Sequence, residues 1–315
     1  MTTQTPHSPA LPHDPLWPRT GGWPAPDALM PGAHVDLAMI GLPAWRTSLS
    51  TTNAGETPDA IRAVLPRYSD AIIADRGVRE GIRSIADLTI VDCGNVHEPD
   101  GPEGEKRALA AVARAAALAD VVIALGGDNS VTVASALGTW GDALPSAGLV
   151  TLDAHYDLRD GVNNGSPVRR LVEAGLAGTR IVQIGIADFA NSRRYAERAR
   201  DLGITVVHRD ELHRRPMSDV MAEALDIAGA GGGPVHVDLD VDVCDRSVAP
   251  GCPASVPGGI SAYELRLAAR AAGADRRVRS VDIAEVDSTA DAEDGRTVRL
   301  AALCVLEVAA GLALR

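Results

Sequence analysis

Residues 153–157 of this chain, Asp-Ala-His-Tyr-Asp, constrain its fold and chemistry more than any other stretch. The apolar run Ala-Gly-Leu-Val-Thr-Leu precedes them, as is typical of a buried parallel strand. Open α/β sheets place their sites at the carboxyl ends of strands, and strand alternation directs Asp153, His155 and Asp157 to one side. Two carboxylates and an imidazole suit a divalent cation, although a strand end with helix caps and solvated acids shows the same pattern.

A second acidic stretch, Asp-Leu-Asp-Val-Asp at 238–242, repeats this pattern later in the chain. Alternation again directs Asp238, Asp240 and Asp242 to one side, and burying three like charges together is costly unless a cation lies between them. The apolar residues at alternate positions from 235 to 243 indicate an interior strand and count against a solvated edge strand. We therefore interpret this stretch as the second half of a metal site.

Apolar runs and amphipathic stretches alternate along most of the chain. The runs that predict strands lie at 35–42, 88–92, 121–125, 149–153, 180–186, 204–207, 235–240 and 280–286. The stretches that predict helices lie at 58–65, 105–118, 168–174, 192–202, 217–227, 262–272 and 297–312. This alternation predicts an α/β fold in three layers (αβα), with a mainly parallel eight-stranded sheet in a single domain over residues 34–315.

Residues 1–33 differ from this domain because proline recurs through them at short intervals. We expect an irregular N-terminal arm that Trp17 and Trp23 anchor on this subunit or on a neighbour, the alternative being a disordered tail. No apolar run approaches transmembrane length, and the first residues show no signal-peptide pattern.

The net charge limits the class of binding partner, and the cysteine usage indicates the cellular compartment. The chain has 30 basic and 42 acidic residues, and a net charge of −12 argues against nucleic acid or an anionic membrane surface as the main partner. The four cysteines form no CxxC pair and are typical of reduced, mostly buried thiols. We therefore predict a cytoplasmic protein whose main partner is neither nucleic acid nor a membrane.

Two further motifs follow predicted strands. In Gly-Gly-Asp-Asn-Ser at 126–130 the glycines permit a tight turn, and Ser130 is placed to cap the next helix. A phosphate-binding loop is disfavoured because neither GxGxxG nor GKS is present. The acidic strand end at 282–287 contains Glu285, which either serves a site or pairs with an arginine of a neighbouring helix.

The order of these motifs resembles the ureohydrolase superfamily of arginases, agmatinases and formimidoylglutamases. The resemblance spans roughly residues 35–310 and is carried by GGD-N-S, DAHYD, DLDVDVCD followed by APG, and AEVD. The motifs GIADFANSRRY at 185–195 and NGSPVR at 164–169 look most like formimidoylglutamase. Asn164 and Gly165 stand where arginases and agmatinases usually carry a His-Gly pair, so arginase-like proton transfer is less favoured.

The resemblance implies an arginase-like fold and a binuclear manganese site. Asp153 and Asp240 would bridge the two ions. Asp157 would complete the shell of the first ion, and His155 with Asp242 would complete that of the second.

Asn129 departs from the family pattern, in which the GGDHS motif supplies a histidine to the first ion. An amide carbonyl is a weaker donor than an imidazole nitrogen. We therefore expect the first ion to bind loosely if Asn129 is a ligand at all. The alternative is that Asn129 serves the substrate, or only the turn.

The resemblance also implies a reaction, in which a metal-activated hydroxide attacks the sp² carbon of a formimidoyl or guanidino group. Asp157 would hold the hydroxide, and Glu285 would pair with the cationic nitrogens of the substrate. N-formimidoyl-L-glutamate would give L-glutamate and formamide.

Substrate recognition is the least constrained part of this interpretation. Asn164 and Asn191 are implied as substrate-binding residues by the motifs that contain them. The two carboxylates of the substrate require a cationic clamp, for which we favour Arg169, with Arg159 and Arg170 as alternatives.

Other functions stay open. The chain could hydrolyse another guanidino or amidino compound, such as agmatine or a guanidino acid. It could instead be a metal-poor, non-catalytic relative, which Asn129 favours and the retained acids oppose. By family analogy we expect a homo-oligomer, either a trimer or a hexamer.

Overall fold

The computed structural model describes residues 14–72 and 83–315. Its strands are β1 (Val35–Leu42), β2 (Ala71–Ile72), β3 (Arg83–Ser84), β4 (Ile90–Asn95), β5 (Ala119–Gly126), β6 (Gly148–Leu152), β7 (Ile181–Ile186), β8 (Thr205–His208), β9 (Val235–Asp240) and β10 (Val278–Ala284). Its α-helices are α1 (Thr57–Val64), α2 (Gly101–Leu118), α3 (Val131–Trp140), α4 (Pro167–Ala174), α5 (Arg193–Asp201), α6 (Arg209–Leu212), α7 (Met217–Ala228), α8 (Ala262–Ala274) and α9 (Arg296–Leu312). Every predicted strand and helix overlaps one of these elements.

Eight strands form one sheet in the order β4-β1-β5-β10-β9-β6-β7-β8, and all of their pairings are parallel. The last strand in the chain, β10, therefore lies in the interior of the sheet, between β5 and β9. Parallel neighbours need crossover connections, and the helices that supply them cover both faces. The prediction of an α/β fold with an eight-stranded, mainly parallel sheet is confirmed.

Two helical layers enclose this sheet. The helices α1, α7, α8 and α9 pack on one face, and α2, α3, α4 and α5 pack on the other. Strand alternation divides the core, so that Ile123 of β5 belongs to the first layer and its neighbour Val122 to the second. Three of the four free cysteines, Cys244, Cys252 and Cys304, are buried in the first layer. Within residues 14–72 and 83–315, no helix has the length and apolar character needed to cross a membrane.

No amphipathic stretch predicted the helices α3 and α6, although Ser130 indicated that a helix begins where α3 does. Most of α3 is buried, so it lacks the polar stripe that identifies a surface helix. Helix α6 has only four residues, which is too short for a periodic signal. Ser130 precedes α3 but makes no capping bond, contrary to the prediction, because its backbone is already helical (φ −61°, ψ −21°) and not extended as a capping residue requires. Its hydroxyl donates instead to the Asp128 carboxylate at 2.5 Å.

The N-terminal arm is described from residue 14 onward. Trp23 packs against the core layer that contains α1 and α9, whereas Trp17 is half exposed. Of the two predicted anchors, Trp23 therefore contacts the core of its own subunit. The part of the predicted arm before residue 14 lies outside the described residues.

Candidate metal centre

Five neighbouring strands, β5, β10, β9, β6 and β7, end at one edge of the sheet, around a cavity of about 470 Å³. The predicted site residues that line it are His155, Asp157, Asn164, Asn191, Asp240, Asp242 and Glu285. Asp153 and Asn129 are buried beside these residues. The structure therefore brings together residues that are widely separated in the sequence, whereas Arg169, its alternative Arg170 and Asp238 do not line the cavity.

The imidazole of His155 lies between two carboxylates. Its Nδ1 atom is 2.7 Å from Oδ2 of Asp242 and 3.4 Å from Oδ1 of Asp153. These three residues each offer a ligand atom, and the three atoms lie within 4.8 Å of one another. Backbone N–H groups orient the acids, because Ala154 donates to Asp242 at 2.9 Å and Asp242 donates to Asp240 at 2.8 Å.

The electrostatics of this cluster show an excess of negative charge. Burial, reinforced by neighbouring carboxylates, raises the pKa values of Asp153 and Asp240 well above their usual range. The charge of Asp242 raises the pKa of His155 to about 12. Burial alone would raise the pKa of Asp242, but the charge and hydrogen bond of His155 outweigh it and the pKa is lowered. His155 thus pairs most closely with Asp242, and it does not offset the burial of Asp153 and Asp240.

One buried oxygen supports the fit of these residues to a divalent cation. Oδ2 of Asp153 is buried and accepts no hydrogen bond within the described part of the chain. Such an oxygen costs free energy unless a partner satisfies it. Carboxylate oxygens with an imidazole nitrogen form a donor set that Mn²⁺ and similar ions accept. The donor set and the unsatisfied oxygen are therefore consistent with a resident divalent metal.

Asn129 connects the end of β5 to both predicted catalytic acids. Its backbone N–H donates to Oε1 of Glu285 at 2.8 Å, and its Nδ2 donates to Oδ2 of Asp157 at 2.7 Å. Its side-chain carbonyl accepts from the Thr132 hydroxyl at 2.8 Å. Burial raises the pKa of Asp157 to about 7, and burial followed by the charge of Asp128 raises the pKa of Glu285 to about 8. Asn129 orients both acids here, and its role as a ligand stays a prediction.

The two predicted substrate-binding asparagines have different surroundings. Nδ2 of Asn164 donates to Oε1 of Glu285 at 2.7 Å, and Oδ1 of Asn164 accepts from the Leu49 N–H at 3.0 Å. Asn191 bonds to backbone groups, since its Oδ1 accepts from the Tyr156 N–H at 3.1 Å and its Nδ2 donates to two carbonyls. Asn164 thus fixes Glu285, and Asn191 ties the turn after β7 to the DAHYD segment.

The three candidate arginines for the carboxylate clamp are arranged differently. Arg169 does not line the cavity, because its guanidinium donates to the carbonyls of Arg159 and Gly161 and to the carboxylate of Glu173. Arg170 forms two hydrogen bonds with a glutamate of α2. Arg159 lines the cavity, and within the described chain its guanidinium has no hydrogen-bonded or ionic partner.

Unusual backbone conformations also mark the cavity. Among the described residues four non-glycine positions have a positive φ, and three of them, Asp157, Phe189 and Glu285, line the cavity. Such conformations cost about 1–3 kcal/mol each and cluster at functional sites. The side chain of Phe189 is fully exposed. Sequence pattern did not reveal these positions, because none of them is the glycine that would have signalled a positive φ.

Asp238, which neighbours the predicted ligands, lies deeper in the sheet and does not line the cavity. It pairs in register with Asp282, whose carboxylate is 3.2 Å from Nε2 of His236. Nδ1 of His236 lies 2.7 Å from the Ser280 hydroxyl. Sequence reasoning missed this buried histidine because a single histidine in an apolar strand carries no distinguishing pattern.

The family to which this chain belongs follows from comparison with known proteins. The model described as the Arginase family matches residues 35–311. The chain belongs to the arginase family. A formimidoylglutamase of Halalkalibacterium halodurans is 32% identical over 290 residues, which cover 89% of this chain and 88% of that protein.

Solved structures agree with this assignment. The crystal structure of Bacillus subtilis formimidoylglutamase matches this arginase-family chain with a TM-score of 0.85 at 26% identity, covering 98% of this chain and 95% of that one. Trypanosoma cruzi formiminoglutamase, solved with Mn²⁺, gives a TM-score of 0.80 at 23% identity, covering 89% and 94%. The predicted arginase-like fold is confirmed.

Proposed function

We propose that this chain hydrolyses N-formimidoyl-L-glutamate to L-glutamate and formamide at a divalent metal centre. The observation that carries this proposal is the chemistry of one cavity, in which an acidic cluster that fits a metal is combined with the guanidinium of Arg159, which has no partner within the described residues. The substrate has matching features, namely a cationic formimidoyl group and two carboxylates. The formimidoylglutamases of H. halodurans and B. subtilis, which resemble this chain over most of its length, support the choice.

The proposed cofactor is Mn²⁺ in two positions. The residues that would hold the ions are Asp153, His155, Asp157, Asp240 and Asp242. When bound, the ions would polarise the substrate and lower the pKa of water. We propose that the position with His155 is the tighter one, because the position beside Asn129 has no imidazole donor.

The residues of the chain orient the substrate and move the protons. Asp157 accepts a proton from the attacking water, whose oxygen bonds to the formimidoyl carbon. Glu285 accepts hydrogen bonds from the formimidoyl nitrogens, and Asn129 and Asn164 hold its carboxylate in place. When the bond between this carbon and the glutamate nitrogen breaks, that nitrogen takes the proton held by Asp157 and the new hydroxyl loses its proton to solvent. Glutamate therefore leaves as an amine and the remainder leaves as formamide.

Arg159 is the carboxylate clamp in this proposal, in place of Arg169. A guanidinium binds a carboxylate through strong, charge-assisted hydrogen bonds, and Arg159 lines the cavity without a competing partner in the described chain. Arg169 instead donates to the carbonyls of Arg159 and Gly161. Its role is to shape the loop that presents Arg159.

We further propose that the protein is cytoplasmic and forms a trimer or hexamer of single-domain subunits, with residues 1–33 as an arm. The free cysteines support a reducing compartment, and the family analogy supports the assembly. Light scattering from the purified protein tests the oligomeric state.

Product analysis with a panel of substrates tests the proposed reaction. Formimidoyl-glutamate, agmatine, arginine and guanidinobutyrate are each incubated with manganese-loaded protein. We expect glutamate and formamide from the first compound and no urea from the others. Urea from a guanidino compound would assign the chain to another amidine hydrolysis, and no product from any compound would favour a non-catalytic relative.

A further inference from the structure

Arg209 is a buried cation near the candidate metal centre. It is the first residue of α6, it is 8% exposed, and no other lysine or arginine of the described chain is buried. It does not line the catalytic cavity, and its hydrogen bonds within the described chain go to backbone carbonyls. Burying a charge without an ion pair is costly, so this position needs a physical explanation.

The guanidinium of Arg209 joins two strand ends. Its Nε donates to the carbonyl of Gly185 in β7 at 3.3 Å, and its Nη2 donates to the carbonyl of Val243 at 3.2 Å. Val243 ends a 3₁₀ turn, Val241–Val243, that directly follows β9. Strand β6, which Asp153 directly follows, lies between β7 and β9 in the sheet. Arg209 therefore links the ends of the two strands that flank β6.

The same two chain segments enclose the ligands. Gly185 has a φ of +99°, and a Cβ atom there would lie 2.4 Å from Cγ2 of Val243 and 3.4 Å from the carbonyl oxygen of Asp153. Asp242, which precedes Val243, accepts the N–H of Ala154. Movement of either carbonyl held by Arg209 would therefore displace the backbone that carries these ligands.

The acids of the site favour the charged form of the Arg209 guanidinium. Burial lowers its pKa, and the charges of Asp242, Cys244 and Asp153 oppose that effect. A guanidinium stays protonated under such conditions, because its unperturbed pKa is above 12. Arg209 is thus a permanent cation at the start of α6, and it is bonded to the backbone on both sides of β6.

We propose that Arg209 is a positioning residue for the metal centre, because it fixes the ends of β7 and β9 so that Asp153 and Asp242 keep their ligand geometry. This inference rests on the metal centre described under the proposed function. Loss of a residue that orients metal ligands typically weakens metal affinity by about ten- to a hundredfold.

The test measures the Kd of Mn²⁺ by competition with a fluorescent chelator, so that it does not depend on the identity of the substrate. Arg209→Met removes both donors and the charge, and we expect it to raise the Kd by about ten- to a hundredfold. Arg209→Lys keeps the charge but cannot span both carbonyls, and we expect about a tenfold increase. Circular dichroism and Tm are recorded for each variant, and the lysine variant decides the question if the methionine variant does not fold.

Arg180 provides a matched control at the opposite end of β6. Its Nε donates to the carbonyl of Ala147 at 2.7 Å and its Nη2 to that of Pro145 at 2.6 Å. Arg180→Met should lower the Tm and leave the Kd of Mn²⁺ within about twofold of wild type, since it lies far from the ligand ends.

Two outcomes would overturn the role of Arg209. One is a folded Arg209 variant with an unchanged Kd for Mn²⁺. The other is an equal rise in Kd for Arg180→Met, which would indicate general destabilisation. If wild-type protein binds no Mn²⁺, the proposed metal centre itself fails, and this result is distinct from the other two.

Discussion

The two walls of the cavity are built in different ways. On the metal side, Asp153, Asp240 and Asp242 lie at or just beyond the ends of the neighbouring strands β6 and β9, and backbone N–H groups orient their carboxylates. On the substrate side, loops at 47–53, 159–165 and 187–192 contribute the lining residues. Strand pairing therefore fixes the groups that fit a metal, whereas loops, which vary more easily, present the groups that we propose recognise the substrate.

The largest effect is expected on the metal side. Asp153→Ala and Asp240→Ala each remove a carboxylate proposed to be shared by both ions, so neither ion keeps its shell. We expect loss of Mn²⁺ binding and of hydrolysis, with the circular dichroism spectrum unchanged. Asp188→Ala removes an exposed carboxylate close to the cavity and serves as the control, with wild-type metal content. Near wild-type turnover with metal bound in either ligand variant would refute the proposed centre.

The next largest effect should fall on the substrate side and leave metal binding unchanged. Arg159→Ala removes a charge-assisted carboxylate contact worth about 1.5–3 kcal/mol, so kcat/KM for formimidoyl-glutamate should fall about tenfold to a hundredfold. Arg169→Ala should have a smaller effect, because Arg169 acts through the loop that carries Arg159. Steady-state kinetics and Mn²⁺ titration of both variants check this. A larger loss in Arg169→Ala than in Arg159→Ala would restore Arg169 as the clamp.

Substitution of Asn129, which contacts both Asp157 and Glu285, should have an intermediate effect on the amount of metal retained. We expect purified protein to retain about one Mn²⁺ per chain after dialysis, and activity to rise when Mn²⁺ is added, because the position beside Asn129 lacks an imidazole. Asn129→His should raise the retained metal toward two per chain. Elemental analysis of the two proteins, dialysed side by side, checks this. Equal stoichiometry would show that Asn129 does not weaken a metal position.

The smallest effect, a change in the free energy of unfolding, is expected from a hydrogen bond that anchors the 47–53 loop of the cavity. Asp287 accepts the N–H of Asn53 at 2.7 Å and the Thr289 hydroxyl at 2.7 Å, and so ties the 47–53 loop to the end of the sheet. Asp287→Asn should lower the free energy of unfolding by about 1 kcal/mol and leave the Kd of Mn²⁺ unchanged.

The stabilisation that Asp287 provides should depend on pH in a predictable way. Burial would raise the pKa of Asp287, but hydrogen bonds from Asn53 and Thr289 outweigh it and the pKa is lowered. A lowered pKa means that the stabilisation is present above the unfolded value of about 3.9 and is lost as the pH falls through the folded value. Thermal melts of wild type and Asp287→Asn should therefore differ at pH 7 and converge in acid, and a constant difference would contradict the assignment.

The metal side and the sheet were largely predictable from the sequence. The apolar runs identify every strand of the large sheet, because a strand buried on both faces cannot contain many polar residues. Acids that follow such runs must lie at the same edge, since all the strands are parallel. The sequence pattern therefore predicts that Asp153 and Asp240 lie at the same edge of the sheet, and the family resemblance adds that they lie together.

The substrate side was less predictable, for a physical reason. Sequence spacing places Arg169 on a helix close to the site, but it does not determine which way a long side chain turns. The guanidinium of Arg169 donates hydrogen bonds to the backbone carbonyls of Arg159 and Gly161. No sequence pattern shows in which direction the carbonyls of a loop point. Arg209 was missed for the same reason, because its partners are backbone groups from two distant segments.

The position of β10 has a consequence for biosynthesis. This strand is the last to be made, yet it completes the interior of the sheet between β5 and β9 and carries Glu285 immediately after its end. Contacts that join such distant parts of the chain form late, because loop closure opposes them. A nascent chain that has released β6 and β9 from the ribosome already contains Asp153, His155 and Asp242 but lacks Glu285. The cavity is therefore completed only when β10 enters the sheet between β5 and β9 and brings Glu285 beside the other acids.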